Sequence, residues 1–243
     1  MIRRLVLAAA LVLDLALPTA AQERVFQLTP YLWGTGVGGT VTPVAGGPTL
    51  RFEEGLGDIL EDLDAAYFLS GLFRQDRIVL LGDVSASRSS RAGRVPGAGL
   101  PVEGRLEQSS LTLAAGYRAL DSERATVDYL VGLRHWDIEA RATTPVPGLA
   151  GRLSADFTDP ILAARTTIRL GQRWSMIGYA DIGGFGVGSD VTAQIVATFN
   201  WQAREGLFLS VGYRHLYVDY DTGGGAGFQG SFSGPLLGMS LQF

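Results

Sequence analysis

The chain has 243 residues, a formal net charge of −4, 33 glycines, no cysteine and only 18% charged residues. That length fits one large β domain or two small ones. The missing cysteine excludes a disulfide scaffold, a cysteine-ligated metal and a lipid-modified N-terminal cysteine, and the acidic balance offers nucleic acid no basic field.

In chain order, the N-terminus comes first. Arg3 and Arg4 precede an apolar run, Leu5–Leu17, broken only by Asp14, and then Pro18-Thr19-Ala20-Ala21. Basic, apolar and small-residue zones in this order predict a secretory signal peptide cut after Ala21. A transmembrane anchor fits less well, because the run is short, carries Asp14 and ends in a small-residue site. The chain therefore divides into 1–21, the signal peptide, and 22–243, the mature domain.

After Ala21 no segment is long and apolar enough for a membrane helix. Period-2 alternation recurs instead, predicting strands near 24–35, 63–74, 77–88, 104–118, 124–140, 152–170, 173–185, 190–202, 206–220 and 229–243. The clearest stretch is Gly206–Asp221, GLFLSVGYRHLYVDYD. Leu207, Leu209, Val211, Tyr213, His215 and Tyr217 alternate there with Ser210, Gly212 and Arg214, then Leu216 and Val218. The connections Gln75-Asp76, Leu120–Glu123, Gly171-Gln172 and Ala203–Glu205 are short. Between them lie 36–62, 89–103, 141–151 and 221–228, which are longer, and a tighter one at Gly186–Ser189. Short periplasmic turns alternating with longer extracellular loops are the asymmetry of an outer-membrane barrel. An even strand number puts both mature ends in the periplasm.

One set of alternate positions is apolar: Tyr67, Leu69, Phe73, Leu111, Leu113, Tyr117, Tyr129, Val131, Leu133, Ile195, Phe199, Trp201, Leu237, Met239, Leu241 and Phe243. The other carries Asp64, Arg74, Asp83, Gln108, Asp128, Arg134, Arg165, Arg169, Asp181, Gln194 and Arg214. Charges on the inner face of nearly every strand would wreck a sandwich core, whereas a barrel lumen lets them pair or meet water. The fold expected is an all-β, transmembrane, antiparallel up-and-down barrel of ten strands, or eight if a weaker segment is loop. Asp83, Gln108, Asp128, Arg134, Arg165, Asp181, Gln194 and Arg214 are the expected lumen network. Arg165 falls diagonal to Asp181, within reach of a charge-assisted bond. With Tyr31, Trp33, Phe68 and Trp136 also pointing inward, such a lumen is expected to be largely filled.

Two hairpins, within Leu111–Glu139 and Ile195–Tyr220, both carry Gly-x-Arg-His on the rising strand. Hairpin duplication explains this simply. Counting back across each turn puts Gln108 opposite Arg134 and Gln194 opposite Arg214. The acidic segment Phe52–Asp64, FEEGLGDILEDLD, has Leu56, Ile59, Leu60 and Leu63 at helical spacing. It reads as a solvated surface loop; capping the barrel mouth, or holding divalent cations among lipopolysaccharide phosphates, is the functional alternative. His135 and His215 are the only histidines. Each follows an inward Arg, so each points outward towards headgroups, with no serine beside it in sequence. Gly-x-Ser-x-Gly and His-Glu-x-x-His are absent. The Gly183–Gly188 cluster lacks the following helix a dinucleotide site needs, and reads as a tight loop.

Several pieces together carry a resemblance: PYLWGTGVGGTV (30–41), GDILEDLD (57–64), WDIE (136–139), DIGGFGVGSD (181–190), GYRHLYVDYD (212–221) and SGPLLGMSLQF (233–243). They resemble a family of uncharacterised Gram-negative outer-membrane β-barrel proteins, related to small surface-antigen barrels. The resemblance spans nearly the whole mature chain and marks structure rather than chemistry. It implies no catalytic residues, no metal and no cofactor. It implies outer-membrane lipid and lipopolysaccharide as surroundings, and Phe243 as the terminal aromatic read by the barrel-assembly machinery. Members often carry Tyr where this chain has His135 and His215, which tells against a catalytic role for either. The function expected is a non-enzymatic outer-membrane barrel with a structural or surface role, or a narrow channel. The alternative is an outer-membrane enzyme resembling omptin proteases or lipid A-modifying barrels. It needs an Asp–His or His–Ser pair at a rim, and the sequence displays none.

Overall fold

The computed structural model describes residues 24–42, 50–54, 63–94, 101–143, 151–221 and 227–243. The expected signal peptide lies outside them. In chain order the strands are β1 (Arg24–Trp33), β2 (Gly36–Thr42), β3 (Leu50–Glu54), β4 (Leu63–Gln75), β5 (Ile78–Arg94) and β6 (Pro101–Asp121). They continue as β7 (Ala125–Thr143), β8 (Gly151–Arg169), β9 (Trp174–Gly184), β10 (Val191–Arg204), β11 (Leu207–Asp221) and β12 (Gly227–Gln242).

Each of β4 to β12 pairs antiparallel with the next, β1 pairs with β4, and β12 returns to β1. The result is a closed barrel of ten strands. Closure removes the edges an open sheet would expose. At the seam, Phe243 N–H donates to Phe26 O at 2.8 Å, Phe26 N–H donates back at 3.1 Å, and the two rings stack.

The remaining pair, β2 and β3, is a departure from expectation. Segment 36–62 reads as one loop, yet β2 continues the path of β1 and pairs with the first half of β12, from Gly36↔Ser233 to Thr42↔Gly227. β3 then adds to β2. The alternation is invisible in GVGGTVT because three of its residues have no side chain. Phe52–Glu54, read as the start of a helix-like acidic piece, belong to β3; residues 55–62 lie outside the described part.

The strands also outrun their predicted ends. β5 reaches Arg94, β6 begins at Pro101 and β7 reaches Thr143. A membrane-crossing strand needs about 9–11 residues. The 21 residues of β6 are roughly twice that, so this side of the barrel projects well beyond a bilayer. The opposite end is closed by tight turns, here called the turn end. Asp76 and Gly206 take positive φ there, 51° and 70°, to reverse the chain in two residues.

The outer wall is apolar and exposed. Tyr67 is 73% exposed, and Leu113, Tyr129, Val131, Leu133, Ile195 and Leu237 are each more than half exposed. A contiguous apolar belt of this size is unsustainable in water and ordinary in a bilayer. Aromatic pairs ring the turn end: Tyr117 faces Tyr129, Trp174 faces Trp201 and Phe26 faces Phe243. Such girdles sit at membrane interfaces.

Candidate functional site in the barrel lumen

Alternation carries every second residue of the ten wall strands inward. These side chains form three levels. At the turn end, Arg118 is registered opposite Asp128. Its Nε donates to Asp128 Oδ1 at 2.8 Å and its Nη2 to Oδ2 at 3.3 Å. Arg165, opposite Asp128 on the other side, reaches Oδ2 at 3.4 Å. Thr29, Ser210, Ser240, Thr198 and Asn200 share this level in a hydrogen-bonded lining of small polar groups.

The middle level is charged and crosses the lumen. Arg134 on β7 donates from both terminal nitrogens to Asp181 on β9, at 2.9 and 2.6 Å, and from Nε to Thr112 on β6 at 3.0 Å. Gln194 on β10 also donates to Asp181, at 3.4 Å. Arg214 on β11 donates from Nε to Gln194 Oε1 at 2.9 Å and from Nη1 to Tyr31 Oη at 2.5 Å. The Tyr31 hydroxyl in turn donates to Asp83 on β5 at 2.9 Å. Arg214 and Asp83 themselves stand 3.4 Å apart, although β12, β1 and β4 separate their strands in the wall. Trp33 covers the Arg214 guanidinium at 4.4 Å, a cation–π contact. The charges here are desolvated, and their paired hydrogen bonds offset that cost.

The far level is apolar. Trp33, Trp136, Ile138, Phe157, Leu216, Val218, Phe232 and Leu236 form one buried cluster. Phe157 stacks on Tyr220 at 4.4 Å and on Trp136 at 6.3 Å. At its rim, Asp159 accepts from Ser189 N–H at 2.7 Å and Ser189 Oγ at 2.8 Å, tying the β9–β10 turn down.

Two expected pairings are corrected. Arg165 does lie diagonal to Asp181, but Asp181 is held by Arg134, and Arg165 turns to Asp128 instead. Gln108 sits opposite Ile138, while Arg134 sits opposite Thr112. The turn is centred at Ser122–Arg124, with a bulge between Arg118 and Leu120. Moving a turn's centre by two residues moves every partner by four. Gln194 is registered against Leu216 and meets Arg214 diagonally, through the bond already described. Arg118, Asp159 and Thr112 are network members that sequence reading misses. Arg118 has the parity of Thr112 and Ala114 and already lies inside the predicted strand 104–118, so alternation alone places it inward; the Asp159-Pro160 dipeptide disguises Asp159 as a turn residue.

The histidines also bring a correction. His215 Nδ1 stands 2.5 Å from Ser233 Oγ, on the outward face between β11 and β12. His135 Nδ1 is 3.0 Å from Thr158 Oγ1, with Asp156 3.9 Å from Nε2. The expectation of no His–Ser pair fails because Ser233 arrives from the next strand, 18 residues later.

A closed ten-stranded wall, apolar outside and charged inside, defines a transmembrane β-barrel of the outer-membrane class. No protein-family model and no curated protein matches the chain. Among solved structures it is similar to Ail, the attachment invasion locus protein of Yersinia pestis, at 11% identity over 91% of this chain and 99% of that one, with a TM-score of 0.41. It is also similar to the transport unit of the autotransporter AIDA-I from Escherichia coli, at 6% identity over 99% and 95%, with a TM-score of 0.42. Neisserial surface protein A matches at 10% identity over 91% and 100%, with a TM-score of 0.36. These are distant likenesses in fold, and the class rests on the barrel's own wall and lumen.

Proposed function

We propose that this protein is an integral outer-membrane barrel with a closed lumen and a structural or surface role, not a diffusion porin and not an enzyme. The observation that carries this reading is the Arg214–Tyr31–Asp83 bridge, which spans the lumen between non-neighbouring strands. Arg134–Asp181 and the aromatic cluster above it fill the remaining section. The turn end faces the periplasm and the projecting strands face outward, as short turns and long connections do in such barrels. Export uses the signal peptide, lipopolysaccharide surrounds the outer belt, and Phe243 is the residue the barrel-assembly machinery engages. The test is conductance of refolded protein in a planar bilayer. Little or no steady current is expected; a stable porin-sized current refutes the closed lumen.

A second reading is favoured by one observation, the His215–Ser233 pair on the lipid-facing wall. A serine hydroxyl that can pass its proton to imidazole is the beginning of an acyl-transfer site for a lipid ester. Among the described residues no carboxylate bonds to His215, so the orienting third group of such a site is missing. A lipid A mass profile unchanged between wild-type and Ser233→Ala strains is expected; a shift in acyl content reverses the order of the two readings.

A further inference from the structure

Below the charged level, towards the turn end, the lumen holds a cavity of about 140 Å³. A cavity of about that volume admits one compact molecule, as a cavity of ~150 Å³ admits benzene, and so has room for a small polyatomic ion. Its wall carries two guanidinium groups, Arg165 and Arg214, and one carboxylate, Asp83. Asp83 is committed: Tyr31 Oη donates to it at 2.9 Å and Arg214 lies 3.4 Å away. Arg165 is not. Its one bond among the described residues is the 3.4 Å contact to Asp128, which Arg118 holds more closely at 2.8 Å. Asp128 is therefore shared by both cations, and Arg118 has a second, partly exposed acid in Asp121 at 3.7 Å, which Arg165 lacks among the described residues.

Tyr179 is registered directly opposite Arg165 and lines the same cavity. Its hydroxyl is buried and, among the described residues, has no partner at hydrogen-bond distance, although the Asp181 carboxylate is near enough to act on it. Asp181, two residues along, is taken by Arg134 and Gln194. Arg165 therefore has unused N–H donors next to a buried phenolic O–H that lacks an acceptor at hydrogen-bond distance among the described residues. Buried donors without acceptors are costly, and a small anion bearing only acceptor oxygens satisfies both groups at once. Arg169, inward by alternation and exposed at the turn-end mouth, adds to the positive field along the way in.

We propose that the turn-end half of the lumen binds a free small oxyanion of the size of phosphate or sulfate, with Arg165 and Tyr179 as its principal donors. The direction of approach, from the periplasm, rests on the barrel orientation proposed above; the site itself does not. A lipid headgroup would have to draw its acyl chains into a polar lumen walled off from the bilayer by paired strands, which disfavours it.

The experiment is calorimetric titration of the refolded full-length barrel in detergent with inorganic phosphate, at constant ionic strength and with chloride as control. Saturable one-site binding is expected. Tyr179→Phe weakens it about tenfold, the loss of one hydrogen bond to a charged group. It leaves the melting temperature without phosphate unchanged, which a structural role for the hydroxyl would not. Arg165→Gln abolishes binding and Arg165→Lys retains part of it. Absence of saturable phosphate binding to the unmodified barrel overturns the proposal, as does binding that survives Tyr179→Phe at full strength; the latter readout stands even if Arg165→Gln does not fold. A porin-sized bilayer conductance refutes the closed lumen without touching this titration.

Discussion

Replacing Arg134 with alanine removes four hydrogen bonds at once, two to Asp181, one to Thr112 and one to Thr192. Among the described residues Asp181 then keeps one hydrogen bond, the 3.4 Å contact from Gln194, and its side chain is wholly inaccessible to water. Breaking a buried ion pair from one side costs about 3–5 kcal/mol, because the surviving charge stays desolvated. At 1.4 kcal/mol per tenfold, the folding equilibrium should fall by about two to three and a half orders of magnitude. The assay is equilibrium unfolding in urea with refolded protein in lipid vesicles, followed by the heat-modifiable gel shift. The double variant Arg134→Met with Asp181→Leu removes both charges and should recover most of the loss, since apolar replacement of a whole buried pair is often neutral or stabilising. Unchanged stability in Arg134→Ala refutes the placement of this pair in a dry middle level. A double variant no better than the single one shows that the cost lies in packing rather than in an orphaned charge.

Mass spectrometry of purified outer membranes should find a mature N-terminus at Gln22; an intact Met1 terminus there rules out cleavage after Ala21. Deleting Phe243 removes one ladder pair and the Phe26 ring contact at the closing seam, and should lower the folded yield on a heat-modifiability gel more than any loop deletion does. Normal folded yield of the truncated chain counts against its role in assembly. At the projecting end, Arg141 and then Arg152 hold the Glu139 carboxyl below the usual carboxylate range. Their contribution is present above that range and is lost only as pH falls through the lowered value. Protease nicking of this end at pH 5 should therefore match that at pH 7, and rise at both in Glu139→Gln at low salt.

The ten wall strands were legible because two independent signals coincide. The outer belt is apolar residue by residue, as in Tyr129, Val131 and Leu133, and the inner face is charged where a soluble core would forbid it, as in Asp128 and Arg134. The β2–β3 hairpin was not legible, because glycine carries no side-chain parity and LRFEE sits in a segment whose leucines recur at helical spacing. Pairing within the lumen was legible only in part. Alternation says that Arg165 and Asp181 both face inward and lie diagonally. It cannot say that Arg134, arriving across β8, takes Asp181 first. Which charges share a level follows from strand stagger and the turn centres, and a two-residue error at Ser122–Arg124 was enough to misplace Gln108.

The three lumen levels divide the work of holding the barrel shut. The aromatic level excludes water and packs like an ordinary core, worth ~25 cal/mol per Å² of apolar surface removed from solvent. It is indifferent to exact register, since Trp136 or Phe157 could slide against similar neighbours at modest cost. The charged level is not indifferent. Arg134 meets Asp181 with both terminal nitrogens, and Arg214 meets Gln194, Tyr31 and Asp83 through separate atoms. A two-residue slip of one strand would strand several of these groups in a dry interior. The network therefore selects one register among those that hydrophobic packing alone would tolerate, and it does so across strands that share no ladder. Below it one side of the lining is small and polar, Thr29, Thr198, Asn200, Ser210 and Ser240, and the other is a buried apolar cluster of Leu72, Val79, Leu130 and Ala163, with a cavity between them bordered by Arg165. Closure above and room below make that half of the lumen a chamber, and place Arg165 and the Tyr179 hydroxyl at its wall.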